Sequence, residues 1–255
     1  MDRPLIMEFP TIFDLLDRLA PLRGEPAVVI ALLAAAVAVV VWEIGLLRRR
    51  APAEAALVPF APLAFPALLL VYLAGGLLLF DVLDPRLAVV YLLTGVVIAI
   101  IMTITGAQTR RSRSSATSGG ESARLDRAGW RTIGPLAFTD RALLRLALAA
   151  VALLGGLWLA RTPGTLLSFV PAEMAYLEAA IFGLGGLGLV GLAVSADPLP
   201  AGIGLLLFLA GFVLFYSLVD PSLIMVVALI VLQLTVALVV AYLAQAWRRP
   251  VGVRE

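Results

Sequence analysis

Hydrophobic and polar residues separate into long blocks along this chain. Seven blocks are almost wholly apolar, and most reach the roughly 20 residues that a helix needs to cross a bilayer. They extend over about Pro26–Leu47, Ala61–Phe80, Leu87–Thr105, Leu143–Ala160, Met174–Val194, Pro200–Val219 and Ser222–Trp247. Because an unpaired backbone amide in hydrocarbon costs several kcal/mol, each block should be helical. The pattern predicts an all-α, polytopic transmembrane bundle of seven spans.

Two polar regions interrupt this pattern. In residues 1–25, the stretch "TIFDLLDRLAPL" places apolar side chains on one helix face and Asp14, Asp17 and Arg18 largely on the other. This predicts an amphipathic segment lying in the membrane interface. Residues 108–140 include "TRRSRSSATSGGES", which is basic, rich in Ser and Gly and poor in apolar residues, and therefore predicts a disordered cytoplasmic loop. This loop is either a plain linker or a contact for anionic lipid headgroups.

The chain also contains an internal similarity. A shift of 136 residues superposes "LAGGLLLFDVLDPRL" (Leu73–Leu87) on "LAGFVLFYSLVDPSL" (Leu209–Leu223), with seven of fifteen positions identical. This indicates a duplication in which spans 1–3 and spans 5–7 are parallel repeats, since one linker span between them lets both enter from the same side. The predicted divisions are 26–107 for the first three-helix repeat, 141–162 for the linker helix, 163–249 for the second repeat and 250–255 for a cytoplasmic tail.

The pairs Asp84-Pro85 and Asp220-Pro221 fall where the chain must reverse between two spans. Proline fits the first turn of a helix, where its missing N–H is not needed. An Asp directly before it can cap the helix and complement its positive end. We interpret both pairs as tight hairpin turns that face the outside; ion binding by the two aspartates is the alternative.

Composition supports a membrane protein and narrows the chemistry. The chain is 62% hydrophobic and 14% charged, against about 45–50% and about 25% in soluble domains. All nineteen basic residues are Arg, and Lys, His and Cys are absent. There is therefore no thiolate nucleophile, no imidazole acid–base group and no lysine for a Schiff base. We expect no enzymatic activity in the chain itself, no cofactor and no metal site.

The arginines also predict an orientation. With the N-terminus outside, fourteen of the nineteen arginines lie on the cytoplasmic side, mostly in the long loop and its flank. The positive-inside rule then favours an outside N-terminus and a cytoplasmic C-terminus in the plasma (inner) membrane.

Few polar residues fall within the spans. Thr94, Gln233 and Thr235 lie at mid-span, and Gln233 is expected to form an interhelical hydrogen bond. Glu43 and Glu178 lie near span ends. We interpret these two as interfacial carboxylates, with proton carriage as the alternative.

Glycines are frequent in several spans. The stretch "GLGGLG" (Gly183–Gly188) matches the dinucleotide-binding pattern in letters, but it lies inside an apolar helix without the strand that such a site requires. We expect glycines of this kind to allow close helix–helix approach, with Gly75, Gly183, Gly186 and Gly211 as the candidates.

The C-terminal third has a recognisable layout. A glycine-rich span ends in "VSADPLPAGIG", the next span turns at "LVDPSL", and a long apolar span ends in arginines. Over about Met174–Arg249 this resembles the three-helix small subunit of respiratory complex I (the chain 4L or K subunit) and the C-terminal half of hydrogenase-4 component E. The resemblance implies intramembrane glutamates in a proton path. Here the corresponding stretches, "GIGLLLFLAGFVLF" and "LIMVVALIVLQLTVAL", contain none.

These features together favour a non-catalytic subunit of a larger membrane complex without its own proton-relay carboxylates. Its expected partners are the lipid bilayer and other membrane protein subunits. Nucleic acid is not expected, since no aromatic platform accompanies the arginines. The alternative is a small permease or channel for a neutral or apolar solute, with a pocket lined by Thr94, Gln233, Thr235 and glycines.

Overall fold

The computed structural model describes residues 26–41, 64–80, 85–117, 130–133, 136–162, 175–195, 197–219 and 222–246. These residues form seven helices and one pair of strands, and each helix overlaps one of the seven apolar blocks. The elements are α1 (Pro26–Val40), α2 (Ala64–Leu79), α3 (Pro85–Thr117), β1 (Trp130–Ile133), β2 (Leu136–Thr139), α4 (Asp140–Arg161), α5 (Ala175–Val194), α6 (Pro198–Val219) and α7 (Leu223–Ala246).

Five of the helices are long and apolar enough to cross a membrane, namely α3 to α7, whose candidate spans are 18 to 24 residues long. The other two, α1 and α2, contain shorter apolar stretches over Ala27–Val40 and Pro66–Leu79. Most of the helices are apolar around their whole circumference, which is typical of helices surrounded by protein on one side and lipid on the other. The described residues therefore fit an integral, multi-pass helical membrane protein.

Six helices form a closed ring. Around it, α1 packs on α2, α2 on α3, α3 on α7, α7 on α6, α6 on α5 and α5 on α1. Helix α6 also touches α1 and α2 across the ring, and 61% of its candidate span is buried. Helix α4 packs mainly on the outside of α5, and only 6% of its candidate span is buried. The core thus lies among six helices, with α4 as a peripheral seventh.

Side-chain contacts fix the relative directions of the ring helices. Leu33 packs against Gly183, and Val40, about two helical turns further along α1, lies against Gly191. The helices α1 and α5 therefore run parallel. Helices α3 and α7 are parallel as well. Two contacts between them, Tyr91 with Gln233 and Gln108 with Gln245, occur in the same order along both helices. The pairs α2–α3, α4–α5, α5–α6 and α6–α7 are antiparallel. Consecutive helices from α2 to α7 therefore alternate in direction. For α3 and α4 this follows because α3 is parallel to α7, α7 and α5 are both antiparallel to α6, and α4 is antiparallel to α5.

Two parts of the region 108–140 form regular secondary structure. Helix α3 continues to Thr117, because "QTRRSRSSAT" contains no Gly or Pro to end it. At about 1.5 Å per residue it is roughly 50 Å long, well beyond the ~30 Å of a hydrocarbon core. The strands β1 and β2 pair antiparallel, with Trp130 opposite Thr139 and Ile133 opposite Leu136. Aromatic and β-branched residues in both strands favour such a pairing.

Several sequence predictions lie outside the described residues: the amphipathic segment 1–25, Glu43, Asp84, Asp220, Pro221 and the tail 250–255. Pro85 is described, and it is the first residue of α3.

Candidate functional site

Three polar side chains stand out in the core because their polar atoms lack a hydrogen-bond partner among the described residues. They are Tyr72 on α2, Tyr91 on α3 and Gln233 on α7, with exposed fractions of 1%, 1% and 0%. Other buried polar side chains donate a hydrogen bond to a backbone carbonyl one turn back in their own helix. Thr105 donates to the Ile101 carbonyl at 2.8 Å and Ser217 to the Val213 carbonyl at 2.7 Å, both within their own helices. We refer to Tyr72, Tyr91 and Gln233 as the polar cluster.

The two tyrosines are brought together by the packing of α2 on α3. Their ring centroids are 5.5 Å apart and the rings are tilted by 48°. The ring of Tyr72 lies directly over Gly95, where any larger residue would overlap it. The Tyr91 hydroxyl lies 3.5 Å from the position that a Cβ on Gly75 would take. Glycines on both helices therefore make room for the two rings in an otherwise tight contact.

Helix α7 contributes Gln233 from its buried stripe. The stripe consists of residues spaced alternately four and three apart, the pattern of a helix seam: Val226, Ile230, Gln233, Ala237, Val240 and Ala244. Gln233 is the one polar member of this stripe. Its amide is close enough to the Tyr91 hydroxyl to interact with it, but the two do not have the geometry of a hydrogen bond. The cluster thus joins α2 and α3 to α7.

A second contact lies further along α3 and α7. The amide of Gln245 donates to the Gln108 side-chain oxygen at 2.9 Å. Tyr91 precedes Gln108 on α3 and Gln233 precedes Gln245 on α7, so the two helices run in the same direction.

The cluster lies deep in the bundle. At about 1.5 Å per residue, Tyr72 is roughly 10 Å from the end of α2, Tyr91 roughly 9 Å from the start of α3 and Gln233 roughly 15 Å from the start of α7. These depths are roughly a third to a half of the ~30 Å thickness of a hydrocarbon core. An unpaired polar group costs most at this depth.

The structure does not bring together the three polar residues that the sequence suggested as a pocket lining. Thr94 is half-buried and donates to the Val90 carbonyl at 2.9 Å, while Thr235 is exposed and donates to the Val231 carbonyl at 2.8 Å. Both hydroxyls are satisfied by their own helix. Gln233 is buried, but instead of the expected interhelical hydrogen bond it has no partner among the described residues. Tyr72 and Tyr91 were not among the sequence candidates.

Glu178 is the one carboxylate candidate that the structure describes. Glu178 lies half-buried in the first turn of α5. In the ranges that the structure describes, no group of three or more His, Cys, Asp or Glu side chains could hold a metal ion.

No protein-family model, curated protein or solved structure matches this chain.

The glycine candidates each lie against a neighbouring helix. A Cβ on Gly183 would overlap the Leu33 side chain, and one on Gly186 would lie 3.3 Å from the Ala152 carbonyl oxygen. A Cβ on Gly211 would lie 3.1 Å from the Gly185 nitrogen, so α5 and α6 approach each other backbone to backbone. Such contacts replace side-chain interdigitation by close backbone packing.

An apolar groove runs along the outer side of the α5–α6 contact. Its volume is about 260 Å³, and it is lined by glycines and by bulky apolar residues, among them Phe182, Phe208, Phe212 and Phe215. It is open to the surroundings and offers almost no polar atom, so it is suited to lipid chains rather than to chemistry.

Proposed function

We propose that this chain is a non-catalytic, multi-pass subunit of a larger membrane complex, and that α4 is the helix that contacts a partner subunit. The supporting observation is the burial of α4. Only 6% of its candidate span is buried, against 33% to 61% for the other four long helices. Helix α4 therefore contributes little to the core, although it presents a long apolar face.

The exposed face of α4 has the form of a helix-packing seam. Its residues follow the three–four spacing of such seams and are Leu144, Ala147, Val151, Leu154 and Trp158. The exposed fractions of Val151, Leu154 and Trp158 are 66%, 64% and 69%. Beside them, a Cβ on Gly155 would meet nothing within 4 Å, so another helix could approach the α4 backbone closely.

The same proposal includes seven spans and an internal duplication. It is supported by the parallel pairs α1–α5 and α3–α7, which are the directions that two parallel repeats require. The neighbour pattern is also the same in both units, since α1–α2–α3 corresponds to α5–α6–α7 around the ring. The correspondence between the two three-helix units does not extend to the contacts of individual residues. Gly75 faces Tyr91 of α3, whereas Gly211, its counterpart at a shift of 136, faces α5.

The proposed complex is of the respiratory complex I or membrane-hydrogenase type, on the layout of Met174–Arg249. Within it the chain would act by helix packing and lipid sealing, with the proton chemistry and any cofactor supplied by other subunits. The proposed location is the plasma (inner) membrane, with the N-terminus outside and the C-terminus in the cytoplasm.

Site-specific photocrosslinking tests the role of α4. A benzophenone amino acid replaces Leu154 on α4 or, in the control, Val231 on α7. The two side chains are similarly exposed, at 64% and 56%. The proposal predicts an adduct with one membrane protein from Leu154 in native membranes and no such adduct from Val231. The same protein should copurify with the unmodified chain in mild detergent. A monodisperse monomer without any partner, combined with no protein adduct from Leu154, would contradict the proposal.

One observation favours the alternative of a permease for a small neutral solute. The polar cluster places four buried hydrogen-bonding atoms inside the bundle with no partner among the described residues. This function is tested in proteoliposomes by the rate of shrinkage or swelling in gradients of small neutral solutes such as glycerol or urea. A permease predicts a rate above that of empty liposomes which falls in Gln233→Leu. Equal rates would remove this alternative.

A further inference from the structure

We propose that Tyr72, Tyr91 and Gln233 form a buried water site, in which one or two water molecules join the α2–α3 hairpin to α7. This inference does not depend on the proposed role as a subunit. It starts from four side-chain atoms that are fully buried without a hydrogen-bond partner among the described residues: the two tyrosine hydroxyl oxygens and the Gln233 amide nitrogen and oxygen. Buried polar groups in proteins are normally paired, and each exception requires an explanation.

The chemistry of the cluster selects a neutral guest. Each tyrosine hydroxyl can donate and accept, and the glutamine amide adds two donor hydrogens and an acceptor oxygen. Water also both donates and accepts, and a buried water typically makes about three hydrogen bonds, so three side chains can satisfy it. The helices α2, α3 and α7 contain no acidic residue that could balance a cation here.

The packing of α2 on α3 limits the size of the guest. A Cβ on Gly76 would overlap Leu92, and a Cβ on Gly95 would overlap Tyr72, so the helices are pressed together at both of these positions. At Gly75, in contrast, the nearest atoms are the Tyr91 ring and hydroxyl at 3.5 Å. The contact is therefore looser beside the hydroxyl than on either side of it, which suits a guest of the size of water.

Gly75→Ala provides a probe that leaves every polar atom of the cluster in place. Its methyl group would lie at an ordinary contact distance of 3.5 Å from the Tyr91 hydroxyl and would occupy the space beside it. Gly185→Ala is the matched control, because a Cβ there meets nothing within 4 Å. Tyr242→Phe is the control for loss of a hydroxyl, since Tyr242 is 71% exposed.

Infrared spectroscopy of the purified full chain, exchanged between H₂¹⁶O and H₂¹⁸O, tests the site directly. A buried water gives an O–H stretching band that moves to lower frequency with the heavier oxygen, whereas tyrosine and glutamine bands do not respond to it. We expect such a band in the unmodified chain, its loss in Tyr91→Phe and Gly75→Ala, and its retention in both controls. An unmodified chain without the band, or a band that persists in Tyr91→Phe and Gly75→Ala, would overturn the proposal.

The free energy of unfolding provides a second test, because the water site and a dry, unpaired hydroxyl predict opposite effects of Tyr91→Phe. If water pairs the hydroxyl, Tyr91→Phe makes unfolding more favourable by roughly tenfold, because the remaining groups lose their partner. If the hydroxyl is dry and unpaired, its removal stabilises the protein and the proposal fails. A double-mutant cycle of Tyr91→Phe and Gln233→Leu measures the coupling between these two side chains. If they form a direct hydrogen bond, the coupling should be the same when Gly75→Ala is also present. If a water molecule joins them, the coupling should disappear when Gly75→Ala is present.

Discussion

Gly188→Ala should open the contact between α5 and α6. A Cβ on Gly188 would lie 2.5 Å from the Phe208 nitrogen, 2.7 Å from its Cα and 2.8 Å from the Gly204 carbonyl oxygen. All three are backbone atoms of α6, so no side chain can rotate away, and the helices themselves must separate. Reaching an ordinary contact of 3.4 Å from 2.5 Å requires a shift of about 0.9 Å. A radial gap of about 0.5–1 Å already forfeits a quarter to a half of each dispersion contact across an interface.

The expected cost follows by comparison with Gly185→Ala on the same helix, where the added methyl meets nothing within 4 Å. Both substitutions gain the same helix propensity of about 0.5–1 kcal/mol. Their difference is therefore the overpacking cost, roughly 1–3 kcal/mol. At about 2–4 °C per kcal/mol, Gly188→Ala should melt roughly 2–12 °C below Gly185→Ala.

Thermal unfolding in detergent, followed by the fluorescence of the four tryptophans, measures this difference. Equal melting temperatures for the two variants would refute the reasoning, because they would mean that the α5 and α6 backbones are not in contact at Gly188. A lower melting temperature for Gly185→Ala than for Gly188→Ala would refute it as well.

Three further helix contacts can be tested by substitution. The three atoms nearest to a Cβ on Gly202 all belong to the Val240 side chain, which it would overlap. Val240→Ala should therefore relieve the cost of Gly202→Ala, and a double-mutant cycle should give a coupling of roughly 0.5–3 kcal/mol; additive effects would contradict this contact. Arg145 donates to the carbonyl that ends α5, at 3.3 Å, and Arg145→Ala should cost about 0.5–1 kcal/mol, whereas an unchanged melting temperature would argue against this cap. Gln108→Leu and Gln245→Leu should show a coupling of about 0.6 kcal/mol, and no coupling would mean that the two amides are not bonded.

The location of the helices could be predicted from the sequence because hydropathy decides it. In a bilayer every apolar block must satisfy its own backbone, so each of the seven blocks contains one helix, although α3 continues well beyond its block. Which helices are neighbours could not be predicted in the same way. Leu33 and Leu232 are both leucines in apolar helices, yet one is buried against Gly183 and the other is 45% exposed. When a helix is apolar all round, hydropathy does not distinguish the protein-facing side from the lipid-facing side.

The candidate site could be predicted only in part. Gln233 was a candidate because an amide at mid-span needs a partner. Thr94 and Thr235 were included for the same reason, but a threonine hydroxyl can bond the carbonyl one turn back in its own helix, as both do. Tyr72 and Tyr91 were overlooked, although a tyrosine well inside an apolar span carries the same need for a partner. The β hairpin does not follow from the composition of its region, because "WRTIGPLAFT" is locally unlike its polar, Ser- and Gly-rich surroundings.

The central claim is that these helices cross a membrane with alternating direction, and α6 allows the most direct measurement. Ser195 precedes α6 and Ser222 follows it. Because the chain contains no cysteine, Ser195→Cys and Ser222→Cys each introduce a unique thiol. In intact cells a membrane-impermeant maleimide should label the thiol at 222, and it should label the thiol at 195 only after the membrane is opened. Labelling of both thiols in intact cells, or of 195 alone, would contradict the account.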